Sequence, residues 1–88
     1  MKQFTYRIED PNGMHARPAG ALATFAKRFV SDVRVSANGK EADGKRLLAL
    51  MSLGAIFGTE LTFVISGEDE VHAATELEAF CRAQMKGT

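Results

Sequence analysis

The stretch Val33-Arg34-Val35-Ser36-Ala37-Asn38-Gly39 decides the fold of this 88-residue chain. Apolar and polar residues alternate along it, which is the pattern of a strand with one buried face. The Asn-Gly pair that follows favours a two-residue hairpin turn, because such turns need residues that tolerate a positive φ. The sequence therefore predicts a strand that turns back into a short polar strand over residues 40–43, at the edge of a sheet.

The remaining elements follow from the same kind of periodicity. Strands alternate apolar residues in steps of two, whereas amphipathic helices repeat them every three or four residues. A stripe that includes Val30 supports the first helix, and a stripe that includes Val71 supports the last one. The predicted elements are a strand over 4–8, a helix over 16–30, a short helix over 45–53, a strand over 60–66 and a helix from residue 70 onward.

The order βαββαβα predicts an α+β fold with a four-stranded antiparallel sheet. The first helix is a crossover, so the first two strands should run in the same direction. The strand over 60–66 is apolar on both faces and should lie between them, antiparallel to both, with the hairpin strand outside. The first and last helices should cover one face of the sheet, leaving the other to solvent.

Composition narrows the class of protein. The length suits a single domain over 1–88, and no apolar run approaches the roughly 20 residues that span a bilayer. A single cysteine, Cys81, can form neither an internal disulfide nor a zinc cluster, and with no secretory signal the expected compartment is the cytoplasm. The net charge of zero argues against a nucleic-acid binder. No cofactor, no metal and no membrane insertion are expected.

The zero net charge hides an asymmetry along the chain. Residues 15–50 carry seven Lys and Arg against three Asp and Glu, a net charge of +4, whereas residues 51–88 carry two against six, a net charge of −4. An electropositive face built from the middle segment would attract phosphate or an acidic partner. The same charges also fit an ordinary solvated surface.

The residues suited to chemistry are in Gly13-Met14-His15-Ala16-Arg17-Pro18-Ala19. His15 falls where a loop becomes a helix, and Pro18 marks the first helical turn. Free amides at a helix start bind phosphate, proline excepted, and the fork of Arg17 can hold one too. The candidate phosphate site is Ala16, Arg17 and Pro18. A neutral imidazole can act as a nucleophile. The spacing also fits a histidine that merely caps the helix.

This heptapeptide resembles the active-site signature of HPr, the histidine-containing phosphocarrier family of the bacterial phosphoenolpyruvate-dependent sugar phosphotransferase system. Residues 45–54, above all Met51-Ser52-Leu53-Gly54, resemble that family's second signature. The resemblance covers essentially the whole chain and implies an open-faced β-sandwich. It also implies that His15 takes a phosphoryl group on Nδ1 from enzyme I and passes it to sugar-specific permease components (EIIA), assisted by Arg17.

One position departs from the family pattern. Many family members have a serine after the lysine that matches Lys45, and in some bacteria a kinase phosphorylates it. Here the residue is Arg46, which has no hydroxyl. Regulation by phosphorylation at this position is therefore excluded. The departure leaves open a specialised HPr-like protein that serves a nitrogen-type or single-operon branch.

A partner surface is predicted on the short helix and its neighbour. Leu50 and Leu53 suit the core, so the other apolar side chains of this helix would be left exposed beside basic residues. Methionine adapts to several partners. The alternative is that all of these apolar side chains are core. The predicted partner-binding residues are Gly20, Thr24, Arg46, Leu47, Leu48 and Met51.

Two other classes of function fit parts of the sequence. The order βαββαβ also describes ferredoxin-like binding modules, so a regulatory domain without chemistry is an alternative. An RNA-binding version would need paired aromatic residues on a basic sheet, which a neutral chain does not offer. A stand-alone enzyme would need a second acid or base beside His15, and the sequence indicates none. The main expectation is a phosphocarrier that acts as a monomer.

Overall fold

The computed structural model describes residues 1–85 and has the predicted order of elements. The polar hairpin strand and the strand over 60–66 have the predicted bounds, whereas the first two helices are shorter than predicted. The elements are β1 (Lys2–Arg7), α1 (Ala16–Ala26), β2 (Asp32–Ala37), β3 (Lys40–Asp43), α2 (Leu47–Met51), β4 (Glu60–Ser66) and α3 (Glu70–Gln84).

The four strands form one sheet in the order β1-β4-β2-β3, and every neighbouring pair is antiparallel. Phe63 at the centre of β4 faces Phe4 of β1 on one side and Val35 of β2 on the other. β1 and β2 therefore run in the same direction on either side of β4. The predicted four-stranded antiparallel α+β sheet is confirmed.

The hairpin between β2 and β3 has the turn that its sequence favours. Asn38 and Gly39 both have positive φ, 54° and 75°, and Ala37 pairs with Lys40. Both angles match the twist of the flanking strands. The Asn38 side chain also donates a hydrogen bond to the carbonyl of Leu53 at 3.0 Å. The turn is thereby tied to the chain that leaves α2.

One face of the sheet carries the core and the other faces solvent. Phe63 is fully buried and stacks on Phe4 across the β1–β4 pair, with ring centroids 4.5 Å apart. Leu50 and Leu53 are buried, as predicted. On the opposite face, Arg7 and Arg34 are exposed. The helices lie on the buried face, so the predicted open-faced sandwich is confirmed.

Two predicted core residues are exposed, namely Val30 and Val71. Val30 lies beyond the end of α1, where the chain tightens into turns such as the one in which Phe29 N–H bonds to the carbonyl of Ala26, so helical spacing no longer applies to it. In α3 the buried stripe is Ala73, Leu77 and Cys81. Residues three and four before Leu77 both fit helical spacing, so the pattern alone does not separate the stripe that leads back to Val71 from the one through Ala73.

Cys81 is buried, and burial raises the pKa of its thiol to about 12, so the thiolate form is absent at neutral pH.

Within residues 1–85, none of the helices is long and apolar enough to cross a bilayer.

Asp69 ties the start of α3 to the loop before β2, and Asp69→Asn should lower stability at neutral pH. Its carboxylate accepts hydrogen bonds from Val30 N–H at 3.1 Å, from Ser31 N–H at 3.0 Å and from the Ser31 hydroxyl. These bonds, the hydroxyl's foremost, hold the pKa of Asp69 below its usual value. Asparagine would turn one acceptor into an NH₂ group facing a donor. The urea midpoint at pH 7 should therefore fall.

The lowered pKa of Asp69 determines how its contribution to stability depends on pH. The folded pKa lies below the unfolded value of about 3.9, so the stabilisation is fully present above that value and is lost as the pH falls through the folded pKa. The urea midpoints of wild type and Asp69→Asn should converge in acid. Glu68→Gln removes a neighbouring exposed carboxylate and is the control. A gap between the midpoints that stays constant down to pH 2 contradicts the assignment.

Candidate functional site

The loop that precedes α1 is held by its backbone. Met14 N–H donates to the carbonyl of Ala55 at 3.0 Å, and the Met14 side chain is buried. Gly13 has a φ of 67°, and a Cβ there would lie 2.5 Å from the oxygen of Ala55. Only glycine fits such a close approach at a positive φ. Gly13 therefore allows the chain to bend closely against Ala55 ahead of His15.

His15 occupies the N-cap of α1, with extended backbone angles of φ −85° and ψ −178°. Its side chain makes no capping hydrogen bond, so the alternative prediction of a histidine that merely caps the helix is wrong. Within residues 1–85, the amides of Ala16 and Arg17 donate to no acceptor. Pro18 is buried and has no amide hydrogen, so it shapes the first turn rather than donating to an anion. Two free donors thus lie directly after His15.

The His15 ring is partly exposed and faces Asp10, which was not among the predicted site residues. The ring is 32% exposed, and Nε2 lies 3.0 Å from Oδ2 of Asp10. The signal for this contact is the turn-forming sequence Asp10-Pro11-Asn12-Gly13, which reverses the chain ahead of His15. The turn residues predict that the chain reverses, but the contact between Asp10 and His15 also depends on where the loop is bonded to Ala55.

Arg17 lies beside this pair with its guanidinium unengaged. Across residues 1–85 it forms no ion pair, and its charge helps to lower the pKa of Asp10, after the hydrogen bonds to that carboxylate. It borders a cavity of about 370 Å³ next to the loop. The cavity is lined by Asp10, Pro11, Asn12, Arg17, Pro18, Ala21, Gln84 and Met85. An exposed cation with no partner is suited to a bound anion.

The predicted partner residues lie on two helices that contact each other, α1 and α2, and at the N-cap of α2. Leu48 is 78% exposed, and Leu47 and Met51 are each 38% exposed, so these three apolar side chains are not core. Gly20 faces Leu47, since a Cβ on it would lie 3.9 Å from the Leu47 Cδ1. Thr24 and Arg46 are exposed as well. We call the surface formed by these six residues the α1–α2 patch.

Basic side chains border the α1–α2 patch on one side. Lys27, Lys45 and Arg46 line a cavity of about 370 Å³ together with Leu47 and Leu48. Lys45 is partly engaged, because its Nζ donates to the carbonyl of Phe29 at 2.7 Å. Part of the positive charge of residues 15–50 is therefore gathered at the point where α1 ends and α2 begins.

Two exposed apolar residues were not among the predicted site residues. Ile56 and Phe57 follow directly after Ala55, and their side chains are 69% and 62% exposed. Since Ala55 holds the loop of His15, these side chains project from the segment that supports the site. No periodic pattern in the sequence marks a loop residue as exposed, so only the fold reveals them.

Among residues 1–85, no three His, Cys, Asp or Glu side chains lie close enough together to hold a metal ion. The groups that the site presents are the imidazole of His15, the carboxylate of Asp10, the amides of Ala16 and Arg17, and the guanidinium of Arg17. This set can hold and exchange a small anion such as a phosphoryl group.

Comparison with known proteins gives a consistent result. Residues 2–83 match the family model described as the PTS HPr component phosphorylation site. The phosphocarrier protein HPr of Buchnera aphidicola subsp. Baizongia pistaciae (strain Bp) is 39% identical over 80 residues, which cover 91% of this chain and 94% of that protein. The HPr-like protein Crh of Bacillus subtilis (strain 168) is 36% identical over 85 residues, 97% of this chain and 100% of Crh.

Solved structures agree with the sequence comparison. HPr from Thermoanaerobacter tengcongensis superposes with a TM-score of 0.89 at 30% identity, over 97% of this chain and 96% of that one. The histidine-containing phosphocarrier protein of Mycoplasma also gives a TM-score of 0.89 at 30% identity, over 99% and 100% of the two chains. Fold and site thus define a small phosphocarrier domain. The chain belongs to the HPr family of the phosphotransferase system.

Proposed function

We propose that His15 is the phosphoryl acceptor of this phosphocarrier, taking the group on Nδ1 from phosphorylated enzyme I and passing it to sugar-specific permease components (EIIA). The observation that carries the proposal is the partly exposed His15 ring at the start of α1, next to two amides without acceptors in residues 1–85 and beside Arg17. We place this exchange in the cytoplasm, where the family's phosphotransferase system operates.

The local geometry suits both states of the histidine. The amides of Ala16 and Arg17 and the guanidinium of Arg17 can donate to the oxygens of a phosphoryl group on the ring. The partial positive charge at the start of α1 favours that dianion as well. No side chain of residues 1–85 covers these donors with a hydrogen bond, so the group can arrive and leave without rearrangement of the loop.

The shallowness of the site favours a carrier over a stand-alone enzyme. An enzyme usually encloses its substrate in a pocket with several converging polar groups. Here the ring is partly exposed, and the α1–α2 patch includes Gly20 and Thr24 of the helix that His15 begins. A ring in this position can be reached by a donor protein and then by an acceptor protein. One small face that serves both partners is best left free, so we propose that the working form is a monomer.

The direct test is phosphoryl uptake by the wild-type chain. The protein is incubated with enzyme I, magnesium and phosphoenolpyruvate, and its intact mass is measured. We expect one added phosphoryl group that is lost in acid and stable in base, as a phosphorus–nitrogen bond requires. A mass that stays unchanged with active enzyme I, or an added group that survives acid, would overturn the proposal.

Met51→Glu should slow uptake of the phosphoryl group about tenfold, because an unfavourable change at a central interface residue typically costs on the order of 1–2 kcal/mol. Met51 is already 38% exposed, so the fold should persist. The initial rate is measured at an enzyme I concentration below saturation, where kcat/KM determines it.

Val71→Glu is the matched control for this prediction. Val71 is an exposed apolar residue of α3 that lies outside the α1–α2 patch, so its replacement adds the same charge elsewhere. Both variants should show wild-type circular dichroism, and only Met51→Glu should be slow. Equal rates for the two variants would remove Met51 from the partner surface.

A further inference from the structure

The imidazole of His15 is held by a carboxylate that is itself fixed. Nε2 of His15 lies 3.0 Å from Oδ2 of Asp10, whose side chain is only 14% exposed. The other carboxylate oxygen, Oδ1, accepts the N–H of Asn12 at 2.8 Å. The backbone carbonyl of Asp10 accepts the N–H of Gly13 at 2.9 Å. Three bonds thus set the position of the carboxylate relative to the ring.

The protonation state of the pair follows from its chemistry. The hydrogen bond from Asn12 N–H, and next the one from His15, hold the pKa of Asp10 below its usual value, so it is a carboxylate at neutral pH. A carboxylate only accepts hydrogen bonds, so the hydrogen between the two groups must be on Nε2. The lone pair of the neutral ring is therefore on Nδ1. Within residues 1–85, Nδ1 has no hydrogen-bond partner.

We propose that Asp10 is a positioning residue for phosphoryl transfer, which keeps His15 in the tautomer whose lone pair is on Nδ1 and balances the charge that the ring acquires. This inference rests on the proposed function of His15. It assigns the Asp10 carboxylate a role that turn formation alone does not require.

The transfer to His15 conserves atoms and charge. The Nδ1 lone pair forms a bond to phosphorus while the bond from phosphorus to the donor breaks, and the donor leaves with that electron pair. The hydrogen stays on Nε2, so the ring becomes positively charged opposite the Asp10 carboxylate. When the group passes on, the bond from Nδ1 to phosphorus breaks and its electron pair returns to Nδ1. No other reactant is needed.

The geometry restricts this role to Asp10. The other carboxylate near in sequence, Glu9, is exposed and forms no hydrogen bond or ion pair within residues 1–85. A carboxylate opposite the non-reacting ring nitrogen fixes tautomer and orientation in other functional histidines as well. The ring of His15 is one-third exposed, so water can replace part of this support and the effect should be moderate.

The experiment compares Asp10→Ala and Asp10→Asn with wild type. Asp32→Asn is the control, because Asp32 is an exposed carboxylate at the far end of the sheet, opposite Ser66, and its loss changes the net charge equally. The first readout is the pair of ¹⁵N chemical shifts of the His15 ring, with the unphosphorylated proteins held at a pH where the ring is neutral. The second is the initial rate of phosphoryl uptake from phosphorylated enzyme I.

We expect the ring of wild type and of Asp32→Asn to show one tautomer with hydrogen on Nε2. In Asp10→Ala the shifts of both nitrogens should move toward an average of the two tautomers. Uptake should fall about tenfold, the lower end of the range for loss of a partner that orients a metal-binding histidine. Asp10→Asn keeps an acceptor oxygen but no charge, so its shifts should be closer to wild type while its rate stays low.

The outcomes separate this inference from the proposed function. Wild type that takes up phosphoryl groups, together with Asp10 variants of unchanged shifts and rate, overturns the role of Asp10 alone. Wild type that takes up none overturns the proposed function, and the tautomer measurement then stands by itself. Asp10 variants that are slow only because the loop has collapsed would show altered amide shifts at Met14 and Ala55, which would also count against a positioning role.

Discussion

His15→Ala is expected to abolish phosphoryl uptake while leaving the domain folded. Methyl has no lone pair, so the acceptor atom is removed rather than weakened. The ring makes no capping bond to α1, and a single surface hydrogen bond to Asp10 is worth little to stability. The loss should be complete in an intact-mass assay, with circular dichroism and urea midpoint close to wild type.

His72→Ala is the matched control, because His72 is the only other histidine of the chain. It lies on α3, and its ring meets the edge of Phe29 with centroids 5.7 Å apart. Its removal should leave uptake unchanged. An acid-labile group on His15→Ala, or a loss of uptake in His72→Ala that matches a loss in His15→Ala, would contradict the assignment of the acceptor.

Gly13→Ala should be the most destabilising small substitution near the site. A left-handed backbone costs a non-glycine residue about 1–2 kcal/mol. The added Cβ would also lie 2.5 Å from the oxygen of Ala55 and 2.8 Å from the Cα of Ile56, both backbone atoms. Overpacking of this kind costs a further 1–3 kcal/mol or so. A total of about 2–5 kcal/mol is a large share of the about 5–15 kcal/mol that stabilises a small domain.

Gly54→Ala separates strain from collision. Gly54 has nearly the same φ, 66° against 67°, but a Cβ there would meet nothing within 4 Å. It should therefore cost only the conformational part, about 1–2 kcal/mol. Urea unfolding with matched slopes measures both variants. Equal losses would show that the loop of Ala55 gives way freely, and the close packing around Gly13 would then not be what holds His15.

Local pattern accounts for much of the fold because each element has a signal of its own. Asn38-Gly39 fixes the hairpin register, since both residues accept positive φ. The two apolar faces of residues 60–66 predict a central strand, because strands at the edge of a sheet usually carry charged residues that prevent further pairing. The helix between the first two strands predicts that they run in the same direction, and the central strand then fits between them.

The apolar periodicity of the sequence does not identify the buried residues where two stripes of one helix fit it equally well, or where the helix ends. Val71 and Ala73 each lie on a helical stripe through Leu77, and the sheet against which α3 packs selects the second. Val30 follows the last turn of α1, so it leaves the buried stripe. Exposure of Ile56 and Phe57 likewise depends on how a loop lies on the fold, and no local rule specifies it.

The amino-acid sequence by itself determined the order of elements, the antiparallel sheet, the buried Leu50 and Leu53, and the placement of His15 where α1 begins, because strand alternation, turn residues and helix boundaries are local properties. Only the tertiary structure decided that Asp10 meets His15 and that Ala55 closes on Gly13. Contacts of that kind depend on where separate segments are brought by the shared core, and no spacing along the chain encodes the final distance.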